Sequence, residues 1–206
     1  MNQRLDESIR TRIVHPKILY FGTPVVLLTT LNEDGTSNIT PMSSAWALGN
    51  RIILGLGEGG HGLTNLRQHG ECVVNMPDPS LWKKVEALAP FTGANPVPNH
   101  KKGVFRHAKD KFAESGLTAI ESHRVLPTRI AECPLQIEAK VVDIRTTGEG
   151  TRFGIIEVEA LMVHAYHRIV VDESHIDPVT WSPLIYNFRH YFGLGEELGK
   201  TFRAEV

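Results

Sequence analysis

The sequence predicts a mainly β fold, an antiparallel barrel with a few peripheral helices. Three observations lead there. Short extended runs dominate the chain, turn signals sit close enough between neighbouring runs to make hairpins, and helical periodicity is confined to brief stretches. The 206 residues suffice for one domain with its own core, and no internal repeat, low-complexity segment or domain break divides them, so residues 1–206 read as a single domain.

Val25 to Leu31 is apolar and β-branched and runs into the turn signal Asn32-Glu33-Asp34-Gly35. Thr36 to Leu48 is a second extended segment. Gly49-Asn50 makes the next tight turn, and Arg51 to Leu56 is a third strand. Two consecutive hairpins predict an antiparallel meander and not a βαβ unit. After the glycine-rich Glu58-Gly59-Gly60-His61-Gly62, Leu63 to His69 reads as a short helix stopped at Gly70. Glu71 to Met76 is a fourth strand. Leu81, Val85, Leu88 and Ala89 share one side of a short amphipathic helix over Leu81 to Ala89. Residues 90–110, rich in Pro, Gly, Asn and Lys, form a long surface excursion, a kind of loop that usually carries function or motion. Pro134 to Arg145 and Phe153 to Tyr166 are long strands around a turn at Gly148-Glu149-Gly150. The aromatic tail from Trp181 to Phe192 reads as a packing segment.

Composition excludes several function classes. A net charge of −1 with scattered Lys and Arg argues against a nucleic-acid surface, which needs a clustered basic excess. No apolar run approaches the roughly 20 residues of a membrane-spanning helix, and Met1 to Lys17 has no apolar core of a secretory signal. A cytoplasmic protein without membrane contact is expected. Cys72 and Cys133 lie far apart in strand-like apolar segments, as buried structural thiols of a reducing compartment would. The closest histidine pair, His164 and His167, would share a helix face, but on the strand predicted there they point to opposite faces, so no metal site is expected.

No G-x-S-x-G elbow, G-x-x-x-x-G-K-[ST] loop, H-E-x-x-H helix or strand-linked GxGxxG is present. Two stretches could carry chemistry. The glycines before Leu63, with a helix start behind them, let amide groups approach an anion, with Thr64 and His61 as added donors; a flexible turn before a capped helix is the alternative. Thr40-Pro41-Met42-Ser43-Ser44-Ala45-Trp46 offers small hydroxyl residues beside a proline, a surface on which a flat heterocycle can lie against backbone. An ordinary polar strand with a core Trp is the alternative there.

Taken together, ordered blocks from about Gly22 to Gly195 resemble the flavin-reductase-like family of FMN-binding split barrels, which includes flavoredoxins and reductase components of two-component monooxygenases. Pro24 to Thr30, Asp34-Gly35, Asn38, Pro41, Ser43 and Trp46 follow the family's "P-V-x-L-x-T…D-G-x-x-N-x-x-P-x-S" run. Glu71-Cys72-Val73-Val74-Asn75 is similar to its "F-V-V-N" strand. Lys111-Phe112 through Gly116-Leu117-Thr118 to Glu132-Cys133-Pro134 looks like its "K-F…G-L-T…E-C-P" order. The pyridoxamine-phosphate-oxidase-like barrels share the architecture but not that block.

The resemblance implies a six-stranded antiparallel split β-barrel with a few peripheral helices, which forms a homodimer and binds FMN near its interface. Thr40, Pro41, Met42, Ser43, Ser44 and Trp46 would line the ring and ribityl chain. His61, Gly62, Thr64 and Asn65 would hold the phosphate, with Asn75 near the ribityl chain and Lys111 near the flavin or phosphate. Tyr186 to Tyr191 would reach the partner subunit or pack the dimer. The implied activity is an NAD(P)H:flavin oxidoreductase, with hydride passing from NADH or NADPH to flavin N5 and no catalytic side chain required. The reduced flavin would serve a monooxygenase or redox-protein partner. A flavoredoxin-like electron carrier without a nicotinamide site, or an FMN-binding module without turnover, is the alternative. The chain departs from the family twice: His61-Gly62-Leu63 stands where many members have arginine before the phosphate-binding threonine, and Gly150-Thr151-Arg152 replaces a common Gly-Asp-His.

Overall fold

A computed structural model describes residues 11–148 and 152–201, so the first ten residues, most of the Gly148-Glu149-Gly150 turn and Thr151 lie outside the described residues. The elements in chain order are β1 (Phe21–Pro24), β2 (Val26–Leu31), β3 (Ser37–Met42), β4 (Ala45–Leu48), β5 (Arg51–Gly57), α1 (His61–His69), β6 (Glu71–Met76) and α2 (Trp82–Leu88). Then follow β7 (Phe91–Thr92), β8 (Arg106–His107), α3 (Lys111–Ser115), β9 (Ala119–Ile120), β10 (Arg129–Ile130), β11 (Leu135–Thr147) and β12 (Phe153–Ala165). The last are β13 (Val170–Asp172), β14 (His175–Ile176), β15 (Ile185–Asn187) and β16 (His190–Phe192).

The main ladder runs β3-β2-β6-β11-β12-β5-β4, with every pair antiparallel. The two expected hairpins, β2–β3 and β4–β5, are present, but the expected meander is not. They stand at opposite ends of the order, with β6, β11 and β12 between them. The reason lies at Ser43-Ser44. The extended segment Thr36 to Leu48 bends there, so its first half pairs with β2 and its second half with β5. One strand thus supplies both edges. Counted once, it makes six strands, and the covalent chain completes the ring where no ladder does. Gly55 N donates to Ser44 O at 2.8 Å. A Cβ at Gly55 would lie 3.0 Å from Ser44 Cβ, so glycine lets the corner press onto β5.

Alternation along the strands fills the ring. Val26, Leu28, Leu54, Cys72, Val74, Ile156 and Val158 point inward, and Leu63 and Leu66 of α1 close one end. β2 is buried on both faces, because Val25 and Leu27 pack outward against Val85 and Leu88 of α2, with Cys133 and Leu184 in the same outer layer. Each such side chain contributes about 1.5–3 kcal/mol by leaving water. Tyr186 and Tyr191 pack on this outer layer, as expected of the aromatic tail. α3 was not expected. Asp110 caps it through Ala113 N at 3.0 Å, and Gly116, at φ 64, ends it.

Two buried polar residues tie the layers together. Glu138 on β11 accepts from His123 N at 2.9 Å and Arg124 N at 2.5 Å, and lies 2.7 Å from His164 Nε2. Burial pushes its pKa up, but these donors outweigh it and hold the carboxyl below its ordinary value. Asn75 on β6, 0% exposed, donates to Leu27 O at 2.9 Å and accepts from Ile130 N at 2.9 Å. It thereby joins β2, β6 and β10.

Truncating Asn75→Ala removes the partner of Ile130 N and a donor to Leu27 O, at about 1–3 kcal/mol for each buried group. Calorimetry should show a melting temperature lower by at least about 4 °C, at roughly 2–4 °C per kcal/mol for a chain of this size. A change of under about 2 °C would mean that the amide is not a structural tie.

Candidate functional site

The bend at Ser43 leaves the outer side of β3 without a neighbouring strand, so its main-chain groups there are free for other partners. A cleft of about 580 Å³ opens along it. Thr40, Pro41, Met42 and Ser43 form one wall, and His61 stands at the start of α1. Lys111 comes from α3, and Lys101 and Phe105 from the long excursion after α2. Tyr20, Tyr186, Arg189 and Tyr191 close the far side.

Close approach builds the corner beneath His61. A Cβ at Gly62 would lie 2.5 Å from Thr40 Oγ1, and one at Gly93 would lie 2.5 Å from His61 Cδ2. Only glycine permits either contact, so the first turn of α1 sits directly on β3. That helix begins without a side-chain cap and without an acidic residue in its first turn. Its first amides therefore have no side-chain acceptor and carry the positive end of the helix dipole.

Charge in the cleft is positive and unbalanced. Lys111 is 4% exposed, and its Nζ donates to Ile39 O on β3 at 2.7 Å. Burial, with Lys101 adding repulsion, pushes its pKa down to about 8. The ion pairs among the described residues include neither Lys101 nor Lys111. A fall from 10.5 to about 8 corresponds to roughly 3 kcal/mol of unfavourable charge burial. An anion in the cleft would recover much of that. Glu86 also lines it, but accepts from Tyr191 Oη at 2.9 Å.

His61 is held in one tautomer. Its Nε2 lies 2.9 Å from Asn32 Oδ1, an acceptor that also receives Asn65 Nδ2 at 3.0 Å. Nε2 therefore carries the proton, and Nδ1 is the ring's second position. Burial, then Lys111, keeps the ring's pKa below its ordinary value.

Of the residues singled out in the sequence, Thr40, Pro41, Met42, Ser43, His61 and Lys111 meet in this cleft. Ser44 turns to the corner, with Oγ 2.8 Å from Tyr20 Oη. Gly62 lies under Thr40. Thr64 and Asn65 line a neighbouring recess of about 300 Å³ behind His61, where Asn65 pins Thr30 and Asn32. Trp46, on β4, is 59% exposed, so it is neither a core residue nor part of the cleft. Asn75, expected beside a ribityl chain, is instead spent on main-chain groups of the core. Gly150 and Thr151 lie outside the described residues, and Arg152 is not among the residues lining the cleft; its carbonyl accepts from Glu58 N at 3.0 Å. His164 serves Glu138, while His167 begins a short 3₁₀ turn. No group of three or more His, Cys, Asp or Glu among the described residues is arranged to hold a metal ion. Nor is any described helix long and apolar enough to cross a membrane.

Sequence reasoning missed Tyr20, Lys101, Phe105 and Arg189. The lysine-rich excursion held a signal for Lys101. Nothing local marks Tyr20, which reaches the cleft through long-range pairing alone.

Comparison with known proteins agrees with this geometry. The protein YdfE of Bacillus subtilis (strain 168), described as uncharacterized, is 53% identical over 207 residues covering all of both chains. The flavoredoxin of Desulfovibrio vulgaris (Miyazaki F) superposes with a TM-score of 0.76 at 22% identity, over 95% of this chain and 99% of its own. Nitrilotriacetate monooxygenase component B from Bacillus cereus gives 0.72 at 17% identity, over 97% and 99%. At such identities these two likenesses speak for the fold, the split barrel of flavin reductases. Residues 18–195 match the family profile described as the flavin reductase like domain. With most of the chain inside that match and the fold in agreement, the protein belongs to the flavin-reductase-like family.

Proposed function

We propose that the cleft binds FMN and that the protein is an NAD(P)H:flavin oxidoreductase. The observation that carries this reading is Lys111, a buried cation beside Lys101 with no carboxylate partner among the described residues, facing a cleft of about 580 Å³. That volume falls within the roughly 300–1,000 Å³ of small-molecule sites. The residues present fit a flavin mononucleotide. Lys111, Lys101 and the first amides of α1 would hold its anionic groups. Thr40 to Ser43 offer amides and hydroxyls to the polar edge of the ring, and Pro41 and Met42 an apolar surface to its face. The flavin supplies the hydride chemistry, so no nucleophile or acid–base pair is needed from the chain. The chain's part is to orient both reactants and to place positive charge where negative charge grows.

The same reading includes a homodimer, supported by Trp46, Leu48, Leu161 and Val163, apolar side chains exposed on β4 and β12. It includes the cytoplasm, supported by two free, buried thiols. It also includes delivery of electrons to a monooxygenase or redox-protein partner, the setting named for the component B relative.

The direct test is an anaerobic visible spectrum of the FMN-loaded protein before and after NADH or NADPH. Bleaching is the expected result. Bleaching by dithionite alone would make the protein an electron carrier, and failure to bind FMN would overturn the reading.

Lys111 makes a second test. Its charged form favours anion binding and is lost as pH rises through about 8, so FMN affinity falls between pH 7 and 9.5. Lys111→Met should weaken FMN at pH 7 by about tenfold or more, the worth of one charged hydrogen bond, and flatten that pH profile. Its melting temperature at pH 7 should not fall, because relief of charge burial offsets the lost bond to Ile39 O. A titration with an unchanged dissociation constant and profile would remove Lys111 from the site.

A further inference from the structure

The chain has four tyrosines, and three of them, Tyr20, Tyr186 and Tyr191, line the cleft; the fourth, Tyr166, is not among its lining residues. The three make a row of rings. Tyr20 and Tyr186 meet edge to face with centroids 5.5 Å apart, and Tyr186 and Tyr191 meet at a tilt with centroids 5.6 Å apart. Both spacings are ordinary for aromatic contact, and phenyl rings would serve that packing equally well.

What phenylalanine could not supply is the hydroxyl groups, and their surroundings differ. Tyr20 Oη lies 2.8 Å from Ser44 Oγ, a hydroxyl and a feeble base. Tyr191 Oη donates to the Glu86 carboxylate at 2.9 Å, within reach of direct proton transfer. Burial, then Glu86, holds the Tyr191 phenol above its ordinary pKa, so it keeps its proton at neutral pH. Glu86 itself is exposed to solvent.

These features bear on one-electron chemistry. A phenol gives up an electron far more readily than a phenyl ring, and it then sheds its proton, because the oxidised phenol is a strong acid. A base beside one phenol of a row therefore fixes where an electron vacancy comes to rest. Tunnelling falls steeply with distance, so short steps from ring to ring outrun a single long one. Trp82 continues the row, 6.4 Å from Tyr191. Lys83 Nζ sits 5.7 Å from the centroid of that indole, and its charge opposes a positive hole there. The row therefore ends electronically at Tyr191.

We propose that Tyr20, Tyr186 and Tyr191 form a one-electron relay that discharges light-excited flavin in the cleft, with Glu86 as the proton acceptor at its end. The inference rests on the reading of the cleft as a flavin site. The oxidant is the oxidised flavin raised by blue light. Tyr20 or Tyr186 gives it one electron, and Tyr191 fills the vacancy. The Tyr191 O–H bond breaks, and its proton passes to Glu86. The flavin then holds one extra electron and Tyr191 lacks one. Return of that electron restores both, and the proton goes back from Glu86 to Tyr191. Nothing is consumed, and the excitation is spent before it reaches dioxygen.

Flash photolysis of the FMN-loaded protein without oxygen tests the relay, with the radical identified by its absorption and its paramagnetic resonance. A tyrosyl radical that decays as the flavin recovers is expected. Tyr191→Phe keeps the ring and should lose most of that signal, whereas Tyr166→Phe should keep it. Glu86→Gln leaves a hydrogen-bond acceptor but removes the base, and should lower the radical yield several-fold. Flavin emission should rise several-fold when Tyr20→Phe and Tyr186→Phe are combined. The proposal is overturned if the parent forms no tyrosyl radical, or if Tyr191→Phe behaves as Tyr166→Phe does. Azide radicals made by pulse radiolysis give a second readout on the flavin-free protein. There the tyrosyl signal should again fall several-fold in Tyr191→Phe and not in Tyr166→Phe, and equal signals would overturn the relay. Unchanged polarisation of FMN emission on mixing with the protein would count against the flavin reading alone, and the azide-radical result would still decide the relay.

Discussion

The continuity of Ser37 to Leu48 through the bend at Ser43-Ser44 is the constraint from which the rest follows. Because one stretch of chain serves as both edges of the ladder, the ring closes without hydrogen bonds between its ends. It also leaves the outer side of β3 unpaired at the place where α1, α3 and the long excursion converge. A fully laddered barrel would have consumed those main-chain groups. Here they become a wall of the cleft, and Lys111 takes one of them, Ile39 O. Gly55 and Gly62 belong to the same device, since each removes a side chain where the corner or α1 must press against a strand.

Glu138 and Lys111, buried charged side chains among the described residues, are treated in opposite ways. Glu138 receives two amides and a histidine, and its charge is stabilised at no one else's expense. Lys111 receives a single carbonyl and a like-charged neighbour, and burial drives it toward neutrality. A satisfied buried charge is a structural element, whereas an unsatisfied one in a cleft marks where a ligand's charge completes the balance. The net charge of the chain, −1, hides this contrast.

Strands and hairpins were legible in the sequence because a period of two and a tight turn are local signals. Sheet order was not, because inserting β11 and β12 between the hairpins depends on pairing across most of the chain, such as Glu159 with Arg51. α3 escaped notice because five residues hold too little periodicity, although Asp110 and Gly116 marked its ends. The wall of the cleft, Thr40 to Ser43, was legible as a run of small polar residues next to a proline. The structural tie made by Asn75 was not legible, because a polar residue on a strand looks the same whether its amide meets a ligand or Leu27 O. Arg189 and Tyr20 were missed because their place at the cleft comes from β1 pairing with β15.

The two thiols give the molecule a pair of internal reporters. Cys72 lies inside the ring and Cys133 in the layer outside it, divided by the doubly buried β2. Burial pushes both thiols up, Cys72 to about 12, so neither is reactive while its own layer is closed. Alkylation of Cys133 without Cys72 would therefore register the outer layer lifting from an intact ring, and simultaneous alkylation would register the two layers opening as one cooperative unit.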